Sequence, residues 1–139
     1  MLMLIDSLSL VALLVGWWIA LSSYPRLPAR IPVHFNLAGE ADGWGGRAMI
    51  FLLPVLQAGL AVLFQYILQH AHAGEKPLPA AAALPLRVLI FEMQLMFTWL
   101  TWRISENAFE RARGLSVWFL PVVLLVLGAT SAWLTLAGR

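Results

Sequence analysis

Four polar side chains crowd one short stretch of an otherwise apolar chain. His34, Asn36, Glu40 and Asp42 put an imidazole, an amide and two carboxylates within nine residues, with Arg30, Trp44 and Arg47 beside them. Imidazole plus carboxylate is reasonable ligand chemistry for a divalent metal, and the same groups could hold a cationic or polar partner. The plainer alternative is that His34 and Asn36 bond the loop's own backbone while Asp42 makes an Asx-type turn. A second candidate stands alone: Glu92 lies inside a long apolar run. Charges at mid-span cost about 2.5–3.5 kcal/mol on insertion scales, so such a residue by default marks a functional or partner-facing site. Its options are proton or ion handling, contact with a separate subunit, or a protonated carboxyl hydrogen-bonded to Gln57 or Gln65. Arg87, five residues earlier, is badly placed on the same helix face. His70 and His72 follow the second apolar run whereas His34 precedes it, so a helix of about 30 Å keeps them from completing the His34 cluster.

The elements that position these groups follow from composition. The chain has 139 residues, 61% hydrophobic and 12% charged, with no Cys. Soluble domains carry about twice that charge, so a globular surface could not be covered and an integral membrane protein is implied. The missing Cys excludes a disulfide scaffold, a thiolate metal site and a Cys nucleophile. A net charge of +2, carried mostly by residues in loops, gives no reason to expect nucleic acid as a partner.

A bilayer core of about 30 Å takes about 20 apolar residues. Four stretches satisfy this, at about 2–21, 48–69, 84–102 and 115–136. The fold expected is therefore all-α integral membrane, a single domain of four transmembrane helices arranged as a four-helix bundle. The first stretch begins MLMLID without Lys or Arg and is longer than a signal-peptide core, so it reads as a retained helix whose Asp6 reaches the interface. In the second, Gln57, Ala61, Gln65 and Gln69 recur every four residues and lay a polar stripe toward other helices. The third opens with Pro85 at a first-turn position. The fourth carries Gly128 and Ala132, a small-xxx-small pair suited to close helix approach.

The connectors are unequal. Residues 70–83 read as a plain linker, and residues 103–113 as a helical extension of the third span, with Glu106 and Glu110 spaced to pair with Arg103 and Arg113 and Gly114 as its C-cap. Residues 22–47 form a loop long enough to require its own structure. Within it Ile31, Val33, Phe35 and Leu37 alternate with Pro32, His34 and Asn36, the period of a half-buried strand, which sets His34 and Asn36 on one side. Gly39, Asp42-Gly43 and Gly45-Gly46 supply turn residues, and Trp44 an interfacial anchor. The first loop is thus structured and partly extended.

Leu27-Pro28, Ile31-Pro32, His34-Phe35-Asn36, Gly39, Asp42 and Trp44-Gly45, as a spaced set, resemble the signature of the family called domain of unknown function 1648. The family occurs in small multi-pass bacterial membrane proteins and supplies the amino-terminal part of SdpI-like immunity proteins. The resemblance implies a loop between the first two helices, a bacterial plasma membrane and, more loosely, an immunity or signalling role. Two departures stand out: Arg47 follows a double Gly where the family usually has Lys, and the further carboxy-terminal domain of SdpI-like proteins finds no counterpart after residue 103.

The sequence carries no HExxH, GxSxG, phosphate-cradling glycine loop or pair of membrane aspartates, so neither catalytic residues nor a cofactor are expected. Four spans place the first and third connectors on one side. The six arginines there favour the cytoplasm by the positive-inside rule, while the resemblance favours the outside. The expected function is binding of a peptide, lipid or protein partner through His34, Asn36, Glu40, Asp42, Trp44 and Arg47. The alternatives are an accessory subunit of a larger complex, packing through Glu92, the Gln stripe and the Gly128/Ala132 face, and a metal- or proton-dependent enzyme or carrier.

Overall fold

The computed structural model describes residues 2–70, 72–73, 76–77 and 80–137. Four helices are long and apolar enough to cross a membrane: α1 (Leu2–Ser23), α2 (Leu52–His70), α3 (Ala80–Ala108) and α4 (Phe119–Ala137). Between α1 and α2 the chain makes a 3-10 turn at Tyr24–Arg26, an antiparallel hairpin of β1 (Arg30–Phe35) and β2 (Ala41–Gly46), and a second 3-10 turn at Arg47–Phe51. The protein is therefore a multi-pass membrane protein of α-helices with one small folded loop.

Proline sets two of the helix starts. Pro54 and Pro121 each occupy the third position of their helix, where the backbone N–H has no partner within the helix, so neither ring costs a hydrogen bond. Ser116 prepares the start of α4 by accepting the Trp118 N–H on its Oγ at 3.3 Å. Pro85 departs from the first-turn expectation: it lies fully buried inside α3, because the Ala-rich segment from Ala80 already winds as helix ahead of it. The plain linker expected at 70–83 also contains a short ladder, β3 (His72–Ala73) with β4 (Lys76–Pro77).

α3 is the hub. It packs against α1, α2 and α4, whereas α4 packs chiefly against α3 among the described residues, so the expected four-helix bundle is a three-helix unit with α4 laid on one helix of it. A Cβ on Gly128 would meet open space, so among the described residues nothing packs against the helix at Gly128. With 29 residues, α3 is about 44 Å long, which exceeds the hydrocarbon core and carries its last turns out to the hairpin. There Ile104 joins Ala20, Leu27, Ile31 and Ile50 in a buried cluster, with Tyr24, Phe35, Phe51 and Phe109 packed around it. This apolar core holds the first loop, while large side chains such as Leu14, Val62 and Leu125 along the spans face outward, as lipid contact requires.

The helices themselves are joined by hydrogen bonds. Gln57 of α2, fully buried, donates from Nε2 to the Gln94 carbonyl and to Thr98 Oγ1 of α3, both at 3.0 Å. Thr98 Oγ1 in turn donates to the Ala12 carbonyl of α1 at 2.7 Å, and Gln94 Nε2 to the Gln57 carbonyl at 3.3 Å. Gly16 makes room for this clamp, since a Cβ there would lie 2.7 Å from Gln57 Oε1. Lipid offers no hydrophobic drive between helices, so such bonds and close packing are what fix their arrangement.

The segment after α3 corrects the sequence reading. The helix does not extend to a Gly114 cap but ends near Ala108 in a Schellman motif, with Glu110 in the left-handed conformation (φ 58°) that Gly usually takes. The Arg111 N–H donates to the Glu106 carbonyl at 2.9 Å and the Glu110 N–H to the Asn107 carbonyl at 3.1 Å. Glu106 accordingly meets Arg111, at 3.6 Å, rather than Arg103.

Candidate functional site

The β1–β2 hairpin positions the loop's polar side chains through two irregularities. Pairing runs Arg30 with Gly46, Ile31 with Gly45 and Pro32 with Trp44, then shifts so that His34 faces Gly43 and Phe35 faces Ala41. Each shift leaves one residue over, Val33 on β1 and Asp42 on β2, as a β-bulge does. The second brings Asp42 beside His34, and the two side chains meet at 2.5 Å between Nδ1 and Oδ1. Gly43 permits this approach, because a Cβ there would lie 2.7 Å from the His34 Cβ. The pair is solvent-facing, with the His34 side chain 71% and the Asp42 side chain 45% exposed. Asp42 thus pairs with an imidazole, where the plainer alternative expected an Asx-type turn.

Asn36 and Glu40 form a separate unit that shapes the hairpin's turn. The backbone N–H of Asn36 donates to the Glu40 carbonyl, and the Glu40 N–H donates to Asn36 Oδ1, each at 2.9 Å. Asn36 Nδ2 reaches Glu40 Oε2 at 3.2 Å, and the Gly39 N–H donates to the Asn36 carbonyl at 2.9 Å. Here the internal reading holds: Asn36 stabilises the loop's own backbone. His34 and Asn36 do not form one site, because each engages a different carboxylate, His34 that of Asp42 and Asn36 that of Glu40.

Trp44 is 53% exposed on β2. Arg47 is engaged locally: its N–H donates to the Ala29 carbonyl at 3.1 Å, and its guanidinium lies 5.1 Å from the Tyr24 ring centre. Of the six loop residues singled out by type and spacing, all but the half-buried Asn36 are exposed, and Asn36, Glu40 and Arg47 are tied into the frame by their own hydrogen bonds or ring contact.

That frame is docked on the α3–α4 connection through contacts the sequence did not signal. The Leu115 N–H donates to the Gly39 carbonyl at 2.7 Å. Gly39 (φ 81°) and Gly114 (φ 71°) meet so closely that a Cβ on Gly39 would stand 2.2 Å from the Leu115 carbonyl oxygen. Asn107 Oδ1 accepts the Gly114 N–H at 2.5 Å, and Arg103 Nη2 donates to the Gly114 carbonyl at 2.5 Å. The first and third connectors are therefore on one side, as four spans require. Leu37, at the tip, is 88% exposed, and Val117 and Trp118 nearby are exposed too.

Within the spans, Glu92 meets neither Gln57 nor Gln65. Its Oε1 accepts a hydrogen bond from Thr130 Oγ1 of α4 at 2.8 Å, because the face that carries Glu92 is turned to α4 while α2 lies across α3. Glu92 lines a cleft of about 470 Å³ with Trp99, Trp118 and Phe119. Gln65 and Gln69 line a separate cavity of about 490 Å³ with Asp6, Ser9 and Gln94, at the opposite end from the hairpin. Asp6, expected at the interface, lies 3.5 Å from Arg87 Nε. His70 stacks on Tyr66 at 4.2 Å, at the far end of α2 from His34, and the His72 side chain lies outside the described residues. No group of three or more His, Cys, Asp or Glu lies close enough to hold a metal ion among the described residues.

Four membrane-spanning helices with a folded hairpin between the first two, docked on the third connector, define a class of multi-pass membrane protein built around its first loop. Residues 11–58, from α1 through the hairpin into α2, match the family described as Domain of unknown function (DUF1648), and the chain carries that domain. An uncharacterized protein of Archaeoglobus fulgidus is 37% identical over 49 residues, which is 35% of this chain and 27% of that relative. The chain thus spans about a quarter of the relative's length. No solved structure matches the chain.

Proposed function

We propose that the protein binds a peptide or protein partner through the outward face of its first loop, centred on His34, Asp42 and Trp44. The observation that carries this reading is the exposed His34–Asp42 pair, 2.5 Å apart on a hairpin whose base is packed into the core and whose tip is bonded to Leu115. A loop that only joined two helices would have no need of so many fixings, and rigid presentation of a few polar groups beside an aromatic lowers the ordering cost of binding. An imidazole and a carboxylate can together give and accept hydrogen bonds, and Trp44 offers apolar area of the kind that anchors interfaces. The likeness of the loop signature to SdpI-like immunity proteins supports a role in immunity or signalling, in the plasma membrane of a bacterium.

Affinity capture from native membranes tests this. His34→Ala with Asp42→Ala should remove a stoichiometric partner while leaving extraction and folding unchanged; equal recovery by the variant would contradict it. The accessory-subunit reading is favoured by one observation, the open space at Gly128 on a helix that packs chiefly against α3. Gentle extraction should then yield a larger assembly that Gly128→Leu disrupts.

A further inference from the structure

We propose that the tip of the hairpin is a membrane-anchoring surface, in which Leu37, with Val117 and Trp118 beside it, enters the headgroup layer of the bilayer that α4 spans. It uses residues other than His34, Asp42 and Trp44 and does not rest on the reading given to them. Leu37 is the most exposed large apolar side chain among the described residues. In water such a side chain would gain nothing from its place at the tip, whereas lipid removes its surface from water.

The helix ends set the depth of the tip. Phe119, the first residue of α4, stacks on Trp99 with 4.5 Å between ring centres. From Trp99 to Ala108, the end of α3, is nine residues, so α4 begins about 14 Å short of that end along the helix axis. The span Phe119–Leu136 has 18 residues and no charge. At about 27 Å it fits almost wholly within a hydrocarbon core of about 30 Å, which puts Phe119 at the boundary of that core. Exposed tryptophans mark the same region on the other helices. Trp18 and Trp102 lie about 9 and 6 Å beyond the Ala12–Thr98 hydrogen bond, and Trp118 directly precedes α4, as in an aromatic belt at headgroup depth.

The hairpin leans down to this level. Its Gly39 carbonyl accepts the Leu115 N–H, and Phe35, Leu37 and Gly39 share a groove of about 150 Å³ with Val117, Phe119 and Leu120. The exposed side chains Leu37, Val117, Trp118 and Leu120 lead on to Val122 and Leu125 of α4, which face lipid. Continuity with that surface, at a depth fixed by the Trp99–Phe119 stack, makes the bilayer the occupant of the patch. Glu40, exposed and bonded to Asn36, limits the insertion to the headgroup layer, where Leu37 is still reached from the aqueous side.

An NBD fluorophore on a single cysteine, in a chain without native Cys, reads the contact. Leu37→Cys, Val117→Cys and Asp42→Cys are labelled in the purified full chain and placed, one chain per nanodisc, in phosphatidylcholine brominated either near the headgroup or near the methyl ends. Labels at positions 37 and 117 should lose emission, relative to unbrominated lipid, most with the shallow bromines, while the label at position 42 keeps its emission. With one chain per disc, neither a second copy nor another protein can produce that loss. In the same nanodiscs Leu37→Asp should quicken amide exchange at Leu115, and Leu37→Phe should not. Emission at position 37 that ignores both brominated lipids, a loss as large at position 42 as at 37, or equal exchange at Leu115 in the two Leu37 variants would overturn the proposal.

Discussion

Gly39→Ala is the sharpest perturbation of the first loop. The new Cβ would stand 2.2 Å from the Leu115 carbonyl oxygen, a backbone atom that cannot swing aside, and the φ of 81° disfavours any side chain. The left-handed conformation costs about 1–2 kcal/mol outside Gly. Loss of the bond from the Leu115 N–H to the Gly39 carbonyl adds about 0.5–1.5 kcal/mol. The docked hairpin should therefore lose about 1.5–3.5 kcal/mol against its undocked form, which corresponds to roughly 10- to 400-fold faster amide exchange at Leu115. Site-resolved hydrogen exchange in detergent or nanodiscs measures this directly. Gly46→Ala is the matched control, since its Cβ would meet nothing within 4 Å. Exchange at Leu115 that is unchanged in Gly39→Ala, or equally raised in Gly46→Ala, would refute the idea that backbone contact between Gly39 and Leu115 holds the loop.

The remaining predictions concern the frame. Gln57→Leu should destabilise the helices by about 1–3 kcal/mol in a reversible unfolding titration, and Gly16→Ala should cost less in a Gln57→Ala background, because the atom it crowds is gone; additive effects would dismiss the clamp. Glu110→Gly should raise stability by up to about 1 kcal/mol, because Glu110 holds a left-handed position that Gly takes without steric cost; a loss of stability would contradict the Schellman assignment. Single cysteines at Leu37 and Val117, in a chain without native Cys, should react with an impermeant thiol reagent from the same side of the membrane; labelling from opposite sides would break the topology.

Long apolar runs made the four spans legible, because membrane insertion depends on composition summed over twenty residues and hardly on neighbours. β1 was legible for a similar local reason, the alternation from Ile31 to Phe35. What escaped was whatever depends on contacts between distant segments. The bulge at Asp42 decides that His34 meets a carboxylate eight residues on, and no pattern in the loop announces it. Gly39 read as a turn residue, which it is, yet its closer constraint comes from Leu115 on another connector. Glu92 was recognisable as an intramembrane ionisable group, but its partner Thr130 depended on which face of α3 each helix takes. The charge spacing over 103–113 favoured helix, and the turn back toward α4 overrode it at Glu110.

The central claim is that the outward face of the first loop is a binding surface. A photo-crosslinking residue in place of Trp44, in native membranes, measures it most directly. The account predicts a discrete adduct with another polypeptide that disappears when His34→Ala and Asp42→Ala are introduced, while exchange at Leu115 stays slow. An adduct of equal yield in the variant, or crosslinking to lipid alone in the unaltered loop, would contradict it.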